Sequence, residues 1–367
     1  MKNIVLCCDG TANEFAVDRT NVVKLFYALE HKSGVQIAYY HPGLGTMEPS
    51  GALTGFSKQV TKLLGKACGY GLEADVRDAY VFLMRSFEPE DRVFLFGFSR
   101  GAYTVRVVAS LLHMYGLLPK GNEPLVPYAI RMMTASDGDE RFSLAGQFKT
   151  TFSTPCRPWF VGVWDTVSSV GWVANPLKVP FTANNPDIQI ARQAIAIDER
   201  RAFFRQNQWF PKAPSSGFPE ERCGPKNLKQ VWFAGVHCDV GGGYPESESA
   251  LSKIALEWML GEAYANGLRL NRGRTDLVLG KSGCGYVAPD AKGLMHESLN
   301  LAWWPAEFVP KRHFNAKTRT DEHRMNLFRR RTIPDNAQVH ESVYARPSAY
   351  QRRLPVGATK VATLPWP

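Results

Sequence analysis

Residues Gly97-Phe98-Ser99-Arg100-Gly101 follow directly on the apolar run Arg92-Val93-Phe94-Leu95-Phe96 and lead into residues 102–112, which read as a helix. A G-x-S-x-G stretch between a strand and a helix is the setting of a nucleophile elbow. The backbone at such a serine is strained, and side chains two positions to either side would strike the neighbouring chain, which only glycine avoids. The hydroxyl then stands at the amino end of a helix, where unsatisfied N–H groups and the helix dipole favour developing negative charge. Without the strand and the helix the same five residues would be a glycine-flanked turn with an incidental serine.

Five apolar segments, at 4–8, 35–40, 93–96, 159–164 and 231–236, end in small or polar residues. Near-continuous apolar runs suit strands covered on both faces of a parallel sheet. Helical patterns at 21–31, 71–86 and 249–265 fall between them. The alternation predicts an α/β fold with a doubly wound, mostly parallel sheet. Residues 1–270 would form the catalytic domain, with polar insertions at about 120–158 and 171–229 and an internal helix near 186–205. A basic C-terminal extension, 271–367, would pack on or beside it. Insertions of this kind in hydrolases form lids or substrate walls.

Ligands of doubly wound sheets bind beyond the carboxyl ends of the strands. A serine of ordinary pKa needs a base beside it, best a histidine, and that histidine needs a carboxylate to orient it. In α/β-hydrolases the order along the chain is serine, acid, histidine. Ser99, Asp165 and His237 supply that order, each lying just past an apolar run. His296 and His340 come later and are rival bases, with Asp239 then the acid. The oxyanion needs backbone donors, expected from Arg100 and from Gly10 or Thr11 in the loop after the first strand. Asp9 would hold that loop. Gly241-Gly242-Gly243 lacks the Lys-Ser/Thr of a phosphate loop and reads as a place of close backbone packing. Two other functions compete with ester hydrolysis. Asp9, Asp165 and Asp239 would converge on a divalent cation in a metal-dependent phosphoesterase. Alternatively, the fold would serve as a non-catalytic binding module. The triad chemistry itself calls for no metal or other cofactor.

The seven cysteines include no C-x-x-C pair and are odd in number, which fits reduced, mostly buried thiols. No apolar run reaches the roughly 20 residues of a membrane-spanning helix. The amino terminus enters a core strand at once and lacks the parts of a cleaved signal, so synthesis in the cytoplasm is expected. Net charge is +10, and residues 301–367 hold twelve Lys and Arg against five acids. Such a surface would suit peripheral contact with an anionic membrane, while no nucleic-acid-binding motif accompanies it.

Four ordered motifs carry a family resemblance: Cys7-Cys8-Asp9-Gly10-Thr11, residues 97–103, residues 162–167, and Trp232 to His237 with Asp239 to Tyr244. Together with Asp198-Glu199-Arg200-Arg201 they resemble the catalytic domain of type VI secretion lipase effectors of the first group, over most of residues 1–265. The resemblance implies an α/β-hydrolase-like fold and a Ser99-Asp165-His237 triad acting on lipid or phospholipid acyl esters. It also implies signal-less secretion into a target cell and an immunity or secretion partner.

Overall fold

The computed structural model describes residues 1–10, 18–43, 68–134, 139–167, 171–172, 175–176, 179–209, 224–283, 285–315 and 320–365. Eight strands form the main sheet: β1 (Asn3–Cys8), β2 (Gln36–His41), β3 (Arg92–Phe98), β4 (Pro158–Trp164), β5 (Ile190–Ala196), β6 (Asn227–Phe233), β7 (Gln338–His340) and β8 (Thr359–Val361). Every neighbouring pair is parallel, in the order β8-β7-β6-β5-β4-β3-β1-β2. The chain steps from β1 out to β2, then crosses back to the other side of β1 with β3. β1 and β3 therefore flank the topological switch point, where a parallel sheet leaves a crevice beyond its carboxyl ends. Cys8 lies in register with Gly97, so the loop beginning at Asp9 and the turn at Ser99 leave the sheet side by side.

Alternate residues of each strand feed two cores. Ile4, Leu6, Val93, Leu95, Val161 and Val163 face α2 (Cys68–Ser86), α3 (Ser99–Tyr115), α4 (Val126–Thr134) and α5 (Asp139–Phe152). Val5, Cys7, Phe94, Phe96, Phe160 and Trp164 face α1 (Asn21–Ala28), α6 (His237–Gly241) and α7 (Ala250–Ala265). The apolar runs are thus buried on both sides, as a doubly wound sheet requires. A third cluster, with Ile195, Trp232, Val339 and Val343, joins β5 and β6 to the segment beyond 330. Short as they are, β7 and β8 continue the main sheet. No helix among the described residues is long and apolar enough to cross a membrane.

Residues 186–205 correct the sequence reading. The helix expected there is instead β5, all of it buried. Its alanines, Arg192 and Gln193 favour helix, but propensity yields where a segment fills a slot between two strands. Glu262 of α7 accommodates Arg192 at 2.5 Å, and Asn207 O accepts from Gln193 Nε2 at 2.9 Å. The helix expected at 102–112 starts three residues earlier, at Ser99, and ends at Gly116 with φ 70°.

The close approach of α3 to β1 depends on missing side chains. A Cβ on Gly97 would lie 2.5 Å from Gly101 O, and one on Gly101 would lie 2.2 Å from Cys8 O. Both obstacles are backbone and cannot swing aside. Gly101→Ala should lower the unfolding free energy by about 1–3 kcal/mol. The control Gly146→Ala, in a helix with open space around it, should leave stability equal or slightly raised. Urea denaturation of both variants checks this, and equal stabilities would show that the approach is not tight.

Candidate active site

β3 stays extended through Phe98, and the chain turns at Ser99, whose φ is 57°. A non-glycine residue in the left-handed region costs about 1–3 kcal/mol and marks a backbone held by its surroundings. Since Ser99 opens α3, the N–H of Arg100 is among the first-turn donors that have no acceptor within the helix. The Ser99 carbonyl accepts from Val167 N at 3.3 Å, tying the turn to the exit of β4. The serine is partly exposed, and among the described residues its hydroxyl makes no hydrogen bond.

Asp165 follows β4 and also has a positive φ, 36°. Its side chain is fully buried. Oδ2 lies 2.5 Å from His237 Nδ1, and Oδ1 accepts from Ala196 N at 3.0 Å. Arg331 closes on the same carboxylate with Nη1 2.5 Å from Oδ1 and Nη2 3.0 Å from Oδ2. Burial would push the Asp165 carboxyl up, but the Arg331 guanidinium and His237 hold it far below the usual carboxylate range.

His237 is the first residue of α6, and its N–H donates to Glu199 Oε2 at 3.3 Å. The imidazole sits between Phe98, 4.6 Å away between ring centres, and the edge of Phe204 at 4.9 Å. Phe98 immediately precedes the serine, so this contact brings His237 to the elbow. α6 can lie there because Gly241 has no side chain: a Cβ would fall 1.9 Å from the Phe98 ring. Burial lowers the His237 pKa, opposed by its bond to Asp165. With Nδ1 committed to Asp165, Nε2 is the nitrogen left to exchange a proton.

The rival histidines are engaged elsewhere. His296 bonds Asp239 Oδ1 through Nδ1 at 2.6 Å and Glu248 through Nε2 at 3.0 Å, with Tyr244 stacked on its ring. His340 contacts Ser342 through Nδ1 and Thr363 through Nε2. Nor do the three aspartates converge. Asp9 accepts from Gly10 N, Thr20 Oγ1 and Tyr40 Oη, at 2.7, 2.5 and 3.0 Å. Asp239 takes Val236 N and His296, and Asp165 takes His237 and Arg331. Among the described residues no group of three or more His, Cys, Asp and Glu side chains is placed to hold a metal ion. The Gly10 N–H, read as an oxyanion donor, is bonded to Asp9. Thr11 lies outside the described residues. Burial pushes the Cys238 thiol up to about 12, so it is no thiolate nucleophile.

Two residues of the site had no role in the sequence reading. Glu199, inside the motif 198–201, is buried and accepts from Arg201 Nε and Nη2, Ser298 Oγ and His237 N. Arg331 lies in a run of three arginines, which reads as basic surface.

The family model for the catalytic domain of Tle1-like type VI secretion (T6SS) phospholipase effectors matches residues 2–262. An uncharacterized protein of Saccharomyces cerevisiae, YEL023C, is 37% identical over 221 residues, 56% of this chain and 32% of that protein. The chain thus spans about a third of that relative. The crystal structure of an uncharacterized protein from Pseudomonas aeruginosa aligns with a TM-score of 0.46 at 19% identity, over 78% of this chain and 49% of that one.

Glu199 supports the imidazole's backbone through a buried ion pair, and this can be tested by stability. Burial works to raise its pKa, but Arg201 outweighs that and brings it down to about 2. A carboxylate lowered on folding stabilises the fold above its unfolded pKa, near 4.5, and loses that contribution as pH falls through the folded value. Glu199→Gln should therefore cost about 3 kcal/mol at pH 7, with the difference from wild type shrinking between about pH 4.5 and 2. Denaturant melts across that range check both statements.

Proposed function

The chain belongs to the family of Tle1-like catalytic domains of type VI secretion phospholipase effectors, and from that premise we propose that it is a serine hydrolase of carboxylic esters, lipid or phospholipid acyl esters in particular, acting through Ser99, Asp165 and His237. The observation that carries the reading is the buried Asp165–His237 contact of 2.5 Å beside the Ser99 elbow. A carboxylate on Nδ1 fixes the tautomer that leaves Nε2 free to act as base, and it stabilises the imidazolium that forms.

Ser99 Oγ attacks the ester carbonyl while His237 Nε2 takes its proton. The N–H of Arg100 meets the oxyanion, joined by Thr11, or by Gly10 once its N–H leaves Asp9. Collapse of the tetrahedral intermediate passes the proton from His237 to the departing alcohol and leaves an acyl group on Ser99. Water, activated by the same imidazole, hydrolyses that ester. The Ser99–His237 hydrogen bond forms as substrate settles, since such bonds are often long in unliganded enzymes. Family membership favours delivery into a target cell and an immunity partner that blocks the crevice.

Ser99→Ala should abolish hydrolysis of p-nitrophenyl acyl esters, and labelling by a fluorophosphonate, without loss of the fold. Full retention of activity rules the mechanism out. Labelling of wild type also separates an enzyme from a non-catalytic module, and survival of activity in EDTA separates it from a metal-dependent phosphoesterase. Because burial lowers the His237 pKa, the neutral base persists to lower pH. The acid limb of kcat/KM should accordingly have its midpoint below about 6.5, the ordinary histidine value.

A further inference from the structure

Asp165 carries a partner that the triad chemistry does not require. In a serine hydrolase the acid's charge is normally left to the imidazolium. Here a second cation shares it. The Arg331 side chain is only 6% exposed and meets both carboxylate oxygens in the fork geometry specific to arginine. The fork is itself anchored, since Nη1 donates to Ala196 O at 3.0 Å and Nη2 donates to Phe204 O. Phe204 is also the ring whose edge meets His237. Arg331 lies well beyond residue 262, where the family match ends.

We propose that Arg331 is a positioning residue for this site: its guanidinium fixes the Asp165 carboxylate and draws part of its charge away from His237, so that the C-terminal extension completes the relay. The inference rests on the reading of Asp165 and His237 as that relay. Two carboxylates face His237, Asp165 from the exit of β4 and Glu199 from the exit of β5, and each has its own arginine, Arg331 and Arg201. Asp239, on the same helix as His237, is bonded to His296. The imidazole thus sits among charges that nearly cancel. Removing Arg331 leaves an uncompensated carboxylate on Nδ1, which stabilises the imidazolium and makes the base stronger but keeps it protonated to higher pH.

The test uses Arg331→Met, which keeps the stem and removes the charge, and Arg331→Lys, which keeps the charge and loses the fork. Two readouts are taken: the His237 titration by NMR, which needs no turnover, and the pH profile of kcat/KM on p-nitrophenyl butyrate. In Arg331→Met the imidazole midpoint and the acid limb should both rise by about one pH unit, and kcat/KM at the plateau should fall between about ten- and a hundredfold. In Arg331→Lys the midpoint should stay near wild type while the plateau falls. A residue that merely braces the fold would lower activity with the folded fraction and leave both midpoints in place. Unmoved midpoints in Arg331→Met overturn the proposal. Should that variant fail to fold, a wild-type plateau in Arg331→Lys overturns it equally. If wild type turns over no ester, the esterase reading fails, while the NMR midpoints still decide whether Arg331 sets the charge at His237.

Discussion

The Asp165 carboxylate reaches no solvent, and an ion so placed survives only if both oxygens are bonded and its charge is matched. Its partners arrive from three directions: Ala196 at the end of β5, His237 at the start of α6, and Arg331 from 166 residues further along the chain. None of these contacts is local. The ends of β4 and β5, the start of α6 and the distal segment must all be in place before the charge is neutralised. The same carboxylate holds the imidazole, so the bonds that neutralise the buried charge also fix the ring of His237. Removing one partner costs more than that partner contributes, because the remaining ion stays buried and incompletely matched.

The parallel topology explains why polar groups meet at this edge. Each strand of a doubly wound sheet is apolar along its length, and polar residues collect where it ends. Among the described residues five acids gather near the carboxyl ends, and each is assigned separately: Asp9 to the first loop, Asp165 to the imidazole, Asp198 to Gly235 N, Glu199 to Arg201, Asp239 to His296. Dispersed partners of this kind keep the carboxylates apart. A shared cation would need them converging on one point with lone pairs to spare.

What could be read from the sequence was local. Apolar runs announce buried strands, and glycines two positions either side of a serine announce a tight turn, so the fold class and the turn at Ser99 were legible. That Asp165 and His237 meet could be anticipated because each ends such a run, and His296 and His340 separate from His237 only through their partners in space. β5 was obscured because Ala191, Arg192, Gln193 and Ala194 favour helix, and only the slot between β4 and β6 makes the segment a strand. Arg331 was hidden for another reason. It follows Arg329 and Arg330, which are exposed, and no periodicity marks the third arginine as the inward one. Leu327 and Phe328 take left-handed φ values of 48° and 60° just before it, a turn that no glycine in the sequence signals.

The boundary of the family match and the boundary of the folded unit therefore differ. The match ends at residue 262, within α7, yet β7 pairs with β6 by setting Val339 beside Trp232. Trp232 and Ile195 are buried with Val339 and Val343 rather than among residues of the matched segment alone. Taken by itself the matched segment would leave β6 as the sheet edge, with unpaired backbone groups, and Trp232 without the cover of Val339 and Val343. It would also leave Asp165 without its guanidinium. The distal segment covers the sheet edge and compensates the buried charge, and Arg331 joins the two tasks because its fork spans Ala196 at the end of β5 and the carboxylate at the end of β4. The turn at Ser99 and the buried pair beside it are in this sense supported from the far end of the sheet, through a charge that neither part of the chain satisfies alone.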